Sequence, residues 1–188
     1  MECSYFILNT MKLLSKLSLP FIFFTAILTL ECAAQDWPKL NRKREANKAI
    51  MEMRKNDSED ARKNWVVFMG NSITQNWASL DPQFFSENDY IGRGISGQTS
   101  SQMLLRFRQD VIHLAPKAVV ILAGTNDIAG NTGPTSIDMI KDNIKSMTEL
   151  AQANHIKVVL CSVLPANRYG WSPEVQPADT IIALNELI

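Results

Sequence analysis

The sequence predicts an α/β protein: a three-layer α/β/α arrangement around a central parallel sheet. Three observations carry that expectation. Apolar runs at Trp65–Met69, Ala118–Ala123 and Val158–Leu164 lack polar alternation, as strands buried on both faces do. Helical patterns separate them, with apolar residues recurring at helical spacing in Ser100–His113 and Ile137–His155. The 188 residues carry 19 Lys or Arg against 19 Asp or Glu. That balance excludes the strong field that a nucleic-acid or anionic-membrane binder displays.

In chain order, residues 1–34 read as a secretory signal peptide. Lys12 and Lys16 precede an apolar run from Leu17 to Leu30, and the small residues Cys32-Ala33-Ala34 follow. Cleavage is expected near Ala34, with no stable membrane span afterwards, since the run is short for a bilayer. Met11 opens a more typical signal than Met1, and Glu31 sits where a lipoprotein signal through Cys32 wants a small residue. The mature chain then keeps one cysteine, Cys161, in an apolar run where a small buried hydrophobe is expected rather than a nucleophile.

Residues 35–64 form a charged N-terminal helical extension. Asp36 to Asn64 holds nine Lys or Arg and six Asp or Glu, with a ragged stripe of Leu40, Ala46, Ile50 and Met53. Because acids interleave with bases, the segment reads as a solvated amphipathic helix on the domain edge rather than a nucleic-acid arm. Residues 65–188 form the α/β domain. Its first strand ends at Gly70-Asn71-Ser72, a second runs from Asp89 to Gly94, and a helix follows that Ser100 or Ser101 caps. The strand at Ala118–Ala123 ends at Gly124. The strand at Val158–Leu164 stops at Pro165, a loop covers Asn167–Pro177, and a helix opening at Ala178 runs to the last residue.

Three motifs sit at strand ends: Gly70-Asn71-Ser72-Ile73, Gly94-Ile95-Ser96-Gly97 and Gly124-Thr125-Asn126-Asp127. In parallel sheets working residues lie in the loops after the carboxyl ends of the strands. One hydroxyl, one unobstructed glycine N–H and one side-chain amide are the parts of an acyl-transfer site with an oxyanion hole. Each alone suits a bland role: Ser72 a helix cap, Gly94 a tight turn, Asn126 a turn residue. Their recurrence at consecutive strand ends favours the chemical role.

The order Gly-Asn-Ser-Ile, Gly-x-Ser-Gly, Gly-Thr-Asn-Asp resembles the SGNH (GDSL-type) hydrolase family, in the branch similar to platelet-activating factor acetylhydrolase catalytic subunits. The resemblance covers about Trp65 to Ile188 and implies a flavodoxin-like fold. It implies that Ser72 is the nucleophile and that the Ser72 N–H, the Gly94 N–H and the Asn126 amide form the oxyanion hole. Two departures stand out. Asn71 replaces the family's usual Asp before the serine. The family's general base, a His preceded at three residues by an Asp near the C-terminus, has no match. The spacing occurs once, at Asp110 and His113, but at the end of a helix leading away from the motifs, so His113 reads as structural; His155 reads as a helix-end cation. The resemblance therefore implies a chain truncated at its C-terminus, with its last strand and helix missing, and an inactive fragment of a secreted or periplasmic esterase for short-chain, acetyl, esters, with carbohydrates as candidate alcohols. Arg93, Arg168, Tyr169 and Trp171 sit in loops that could shape its pocket.

Two other readings compete. Gly92-Arg93-Gly94-Ile95-Ser96-Gly97 fits a dinucleotide-binding fingerprint, but Ala115-Pro116-Lys117 stands where the acid should follow. A non-catalytic carbohydrate- or ester-binding module on the same fold is the second. No cluster has metal-ligand spacing, so neither metal nor cofactor is expected, nor a nucleic-acid partner.

Overall fold

The computed structural model describes residues 36–56 and 64–188. The leader at 1–34 lies outside the described residues, as does the end of the charged extension at 57–63. Seven α-helices and four strands run in the order α1 (Arg44–Met53), β1 (Val66–Gly70), α2 (Ser72–Leu80), α3 (Pro82–Glu87), β2 (Tyr90–Gly94), α4 (Ser100–Asp110), β3 (Ala118–Ile121), α5 (Thr125–Ile128), α6 (Ile137–Ala153), β4 (Lys157–Leu160) and α7 (Ala178–Asn185) among these residues.

The strands form one parallel sheet in the order β2-β1-β3-β4. Successive side chains of β1 point to opposite faces. Val67 and Met69 are fully buried in a core with Met103 and Phe107 of α4 and Ile140, Ile144 and Met147 of α6. Phe68 points the other way, into rings from α2, α3 and β2: Trp77 at 5.4 Å, Phe85 at 5.5 Å and Tyr90 at 4.9 Å between centroids. Helices thus cover both faces, as the unalternated apolar strands require.

The chain leaves β1 for β2 on one side and then crosses to β3 on the other. The direction of winding reverses at β1, and the crevice beyond the carboxyl ends at such a point is where ligands of these sheets bind.

Several elements depart from expectation. The strand expected at Val158–Leu164 ends at Leu160 and is not buried: Val159 is 51% and Leu160 37% exposed. Among the described residues β4 stands at the edge of the sheet, where its side chains are partly uncovered. The helix expected to continue to Ile188 closes at Asn185. The short α3 went unread because Pro82 and six residues leave little periodicity. In α1 only Ile50 of the apolar stripe packs against the core. Ala46 and Met53 are exposed, and the buried residue is Asn47. Its Nδ2 donates to Asp110 Oδ1 at 2.6 Å, and its Oδ1 accepts from Arg93 Nε at 2.8 Å. A polar clasp docks this helix, which no hydropathy pattern announces.

Gly94 is dictated by packing. A Cβ there would lie 2.7 Å from Asn71 O and Thr74 C, and closer still to Gln75 N. The obstacle is the backbone of α2, which cannot rotate aside. Gly94→Ala is expected to destabilise the fold by about 3 kcal/mol, by overpacking against rigid backbone. A urea midpoint unchanged from wild type would contradict this close approach.

Candidate active site

Each candidate residue is positioned by a strand end. Ile95 N–H donates to Gly70 O at 3.0 Å, Leu122 N–H to Met69 O at 3.0 Å and Cys161 N–H to Ile121 O at 2.9 Å. These bonds align the carboxyl ends of β2, β1, β3 and β4 along one rim. Ser72, Gly94 and Asn126 all follow or close strands at that rim.

Ser72 is the first residue of α2 and is half-buried. Asn71 is the N-cap: its Oδ1 accepts the Ile73 N–H at 3.0 Å, and its carbonyl accepts the Gln75 N–H at 3.0 Å. The Ser72 N–H is therefore one of the first-turn donors that a helix cannot satisfy internally. The Asn for Asp exchange noted in the sequence retains a cap, since both are strong N-cap residues. Gly94 packs on this same first turn, with Gln75 Oε1 accepting from Ser96 N–H at 2.9 Å.

Asn126 is 4% exposed. Its Nδ2 donates to Gln98 O at 2.8 Å, four residues beyond Gly94. One N–H orients the amide, and an amide nitrogen carries a second. Gln98 is held in turn: its Oε1 accepts from Arg106 Nε at 2.5 Å and its Nε2 donates to Pro38 O at 2.7 Å. Arg106 also donates from Nη2 to Gly70 O at 3.2 Å and pairs with Asp110 through Nη1 at 2.8 Å. A fully buried guanidinium thus ties the end of β1 to the loop after β2. Burial pushes the pKa of Arg106 down, while Asp110 opposes the shift. Arg93, beside the same carboxylate, is lowered to about 10, again chiefly by burial. Arg93 is only 4% exposed and bound to Asn47, so the expectation that it shapes a substrate pocket is corrected.

The last residue of the third motif also has a partner. Asp127 accepts the Ser100 N–H with both oxygens, at 3.0 and 2.9 Å, and the Ser100 hydroxyl at 2.5 Å. It anchors the loop after β3 to the start of α4. Burial raises the Asp127 pKa above the usual carboxylate range, and the Ser100 hydrogen bonds pull it back in part. The native state then holds a proton that the unfolded chain has already released. Stability therefore falls as pH rises through the interval between the ordinary and the raised value. Asp127→Asn removes that step, so as pH rises above the ordinary carboxylate value its thermal midpoint is expected to lose less than that of wild type. Parallel profiles for the two proteins would contradict this.

The two histidines lie elsewhere. His113 is exposed in a 3₁₀ turn just before β3, and His155 is exposed just before β4. Both are at the amino ends of strands, the rim opposite Ser72. His155 sits beyond the end of α6, in the left-handed conformation (φ 57°) of a Schellman turn, with its N–H on Gln152 O and the Ile156 N–H on Ala151 O. Asp110, three residues before His113, is spent on Arg106 and Asn47. Cys161 is half-buried rather than fully buried, and burial raises its pKa, away from a thiolate. Two glycines of the dinucleotide-like stretch, Gly92 and Gly94, make room for α2: a Cβ on Gly92 would meet Ala78 Cβ at 2.6 Å. Among the described residues no group of His, Cys, Asp and Glu could hold a metal, and no helix is long and apolar enough to cross a membrane. Two cavities, of about 520 and 400 Å³, flank the β4 side of the sheet and touch none of Ser72, Gly94 and Asn126.

Gln98 and Asn131 carry no local signal, and Ser100, expected as a cap, instead follows the Thr99 N-cap and holds Asp127; these roles arise from hydrogen bonds 27 to 34 residues apart in the chain. The Asp of Gly124-Thr125-Asn126-Asp127 was visible, but nothing local named its partner.

A parallel α/β fold with a capped serine after its first strand and a buried amide after its third defines a class of hydrolase-like proteins. Residues 68–188 match the GDSL-like lipase/acylhydrolase family, and the chain belongs to it. The resemblance drawn from the motifs is borne out. A solved GDSL-like lipase of Bacteroides thetaiotaomicron VPI-5482 is 49% identical, with a TM-score of 0.74 over 80% of this chain and 71% of its own. A solved acetyl xylan esterase is 28% identical, with a TM-score of 0.53 over 65% of this chain and 69% of its own. Platelet-activating factor acetylhydrolase IB subunit alpha1 of Bos taurus is 29% identical over 109 residues, 55% of this chain and 45% of that protein. The chain spans less than half the length of the curated relatives it matches.

Proposed function

We propose that the protein is a serine acylhydrolase that cleaves short-chain esters, acetyl esters among them, and acts outside the cytoplasm. Ser72 Oγ attacks the ester carbonyl carbon, and a base accepts its proton. The Ser72 N–H, the Gly94 N–H and the second Asn126 N–H hold the oxyanion. The alcohol leaves with a proton returned by the base, and water then releases the acyl group from Ser72. The observation that supports this best is that Ser72, Gly94 and Asn126 all follow or close strands at one rim. Gly94 packs on the first turn of the Ser72 helix, and the Asn126 amide binds the loop that follows Gly94. The family match and the acetyl xylan esterase support an ester substrate, with a carbohydrate as its alcohol. The signal-like order of residues 1–34 supports export.

Neither histidine is at the Ser72 rim, so these 188 residues are proposed to carry the nucleophile and oxyanion donors without a histidine base, and to turn over esters barely if at all. In a form that supplies the base, Asn126→Ala is expected to lower kcat for p-nitrophenyl acetate by about 10²- to 10³-fold with little change in KM, the usual effect of losing one oxyanion donor. An unchanged kcat would sink the assignment of Asn126.

A further inference from the structure

The loop between β4 and α7 presents an aromatic ring that the ester chemistry does not use. Trp171 is 59% exposed, yet it is held on three counts. Its ring stacks on the buried Tyr169, with centroids 4.9 Å apart and planes 24° from parallel. Its indole N–H donates to Asn131 Oδ1 at 3.2 Å. The next residue, Ser172, donates from its hydroxyl to Ala129 O at 3.0 Å.

Asn131 connects this ring to the motifs. Its Nδ2 donates to Gly97 O at 3.0 Å and its N–H donates to Asn126 O at 3.0 Å. One residue of the loop after β3 thus joins the loop after β2 to the indole through its side chain. The ring stands beside the rim where Ser72 and Asn126 sit, fixed before any ligand arrives.

We propose that Trp171 is the platform of a sugar-binding subsite, stacking against a pyranose ring on the alcohol side of the ester. This rests on the acylhydrolase reading and deepens it by assigning the residue that holds the carbohydrate alcohol. A pyranose has an apolar C–H face and a hydroxyl edge. The indole offers one flat apolar face, backed by Tyr169 on its other side. The residue that holds its edge, Asn131, is exposed and polar. An acyl chain would need apolar walls around it, as ligand pockets for such groups have. An aromatic body with a polar surround suits a ligand that is apolar on one side and wet at its margin. Because the ring is already ordered by Tyr169 and Asn131, binding does not bear the cost of immobilising it.

Sugar binding needs no turnover, so the test is independent of the base. Saturation-transfer-difference NMR on the 188-residue chain with xylotetraose is expected to show transfer to ring C–H protons. Trp171→Ala is expected to weaken binding about tenfold and Trp171→Phe to retain most of it, while Ser72→Ala leaves it unchanged. Asn131→Ala, which frees the indole edge, is expected to weaken it by less than Trp171→Ala. Circular dichroism of the Trp171 variants should match wild type, since the ring is exposed. No transfer to xylotetraose in wild type, or equal transfer in Trp171→Ala, overturns the proposal. Transfer to choline with none to the sugar also overturns it, because the platform would then serve a quaternary ammonium by cation–π attraction. Loss of esterase activity in a base-supplied form with sugar binding intact would count against the hydrolase reading and leave this one standing.

Discussion

Ser72→Ala is expected to lower turnover of p-nitrophenyl acetate by about 10⁶-fold in a form of the protein that supplies a histidine base, near 8 kcal/mol of barrier. In the 188-residue chain the same substitution is expected to change almost nothing. The two expectations come from one geometry. Ser72 opens α2 at the carboxyl rim of the sheet, where Asn71 caps the helix and Gly94 packs on its first turn. His113 and His155 precede β3 and β4 at the opposite rim. A serine hydroxyl is a weak nucleophile until a base within hydrogen-bond reach takes its proton. Brisk hydrolysis by the 188-residue chain that disappears in Ser72→Ala would show that another group serves as base.

Asp110→Asn is expected to destabilise the fold by about 3–5 kcal/mol, the usual cost of breaking one partner out of a buried ion pair. In a domain of this size that is a fall of roughly 10 °C in thermal midpoint. Asp110 is the carboxylate between two buried guanidiniums: it pairs with Arg106 directly at 2.8 Å and reaches Arg93 through Asn47. Removing its charge strands both cations in the core. The substitution is nearly isosteric, so the loss is electrostatic and not a cavity. If so, adding Arg93→Met should restore part of the stability, because one of the two stranded charges goes with it. Additive losses in the double variant would contradict the network. Arg106 deserves the same attention from the side of function, since it holds Gly70 O and Gln98, and Gln98 holds Asn126.

The parts legible in the sequence are those set by local pattern. β1 and β3 are central strands, so their apolar runs mean what they seem to mean. The strand ends put Ser72, Gly94 and Asn126 at one rim because parallel sheets gather the loops after their strands there. The edge strand β4 misled because Val159 and Leu160 are apolar yet exposed. The docking of α1 was only partly legible: Ile50 of the stripe packs on the core, but the buried polar contact comes from Asn47. The supporting network was illegible for a plain reason: Asn126 with Gln98, Asp127 with Ser100 and Arg106 with Gly70 are partners across 27 to 36 residues. Only the assembled sheet brings them together. His155 shows the converse. Its place after a helix was legible, but its left-handed backbone was not, because Gly or Asn usually fills that position.

The central claim is that three donors face one oxygen. A crystal structure of the 188-residue chain tests it through a single quantity: whether Ser72 N, Gly94 N and Asn126 Nδ2 all lie within about 3 Å of a common point beside Ser72 Oγ. The account predicts that they do. Any one of the three turned away, or standing beyond about 4 Å from that point, would contradict it.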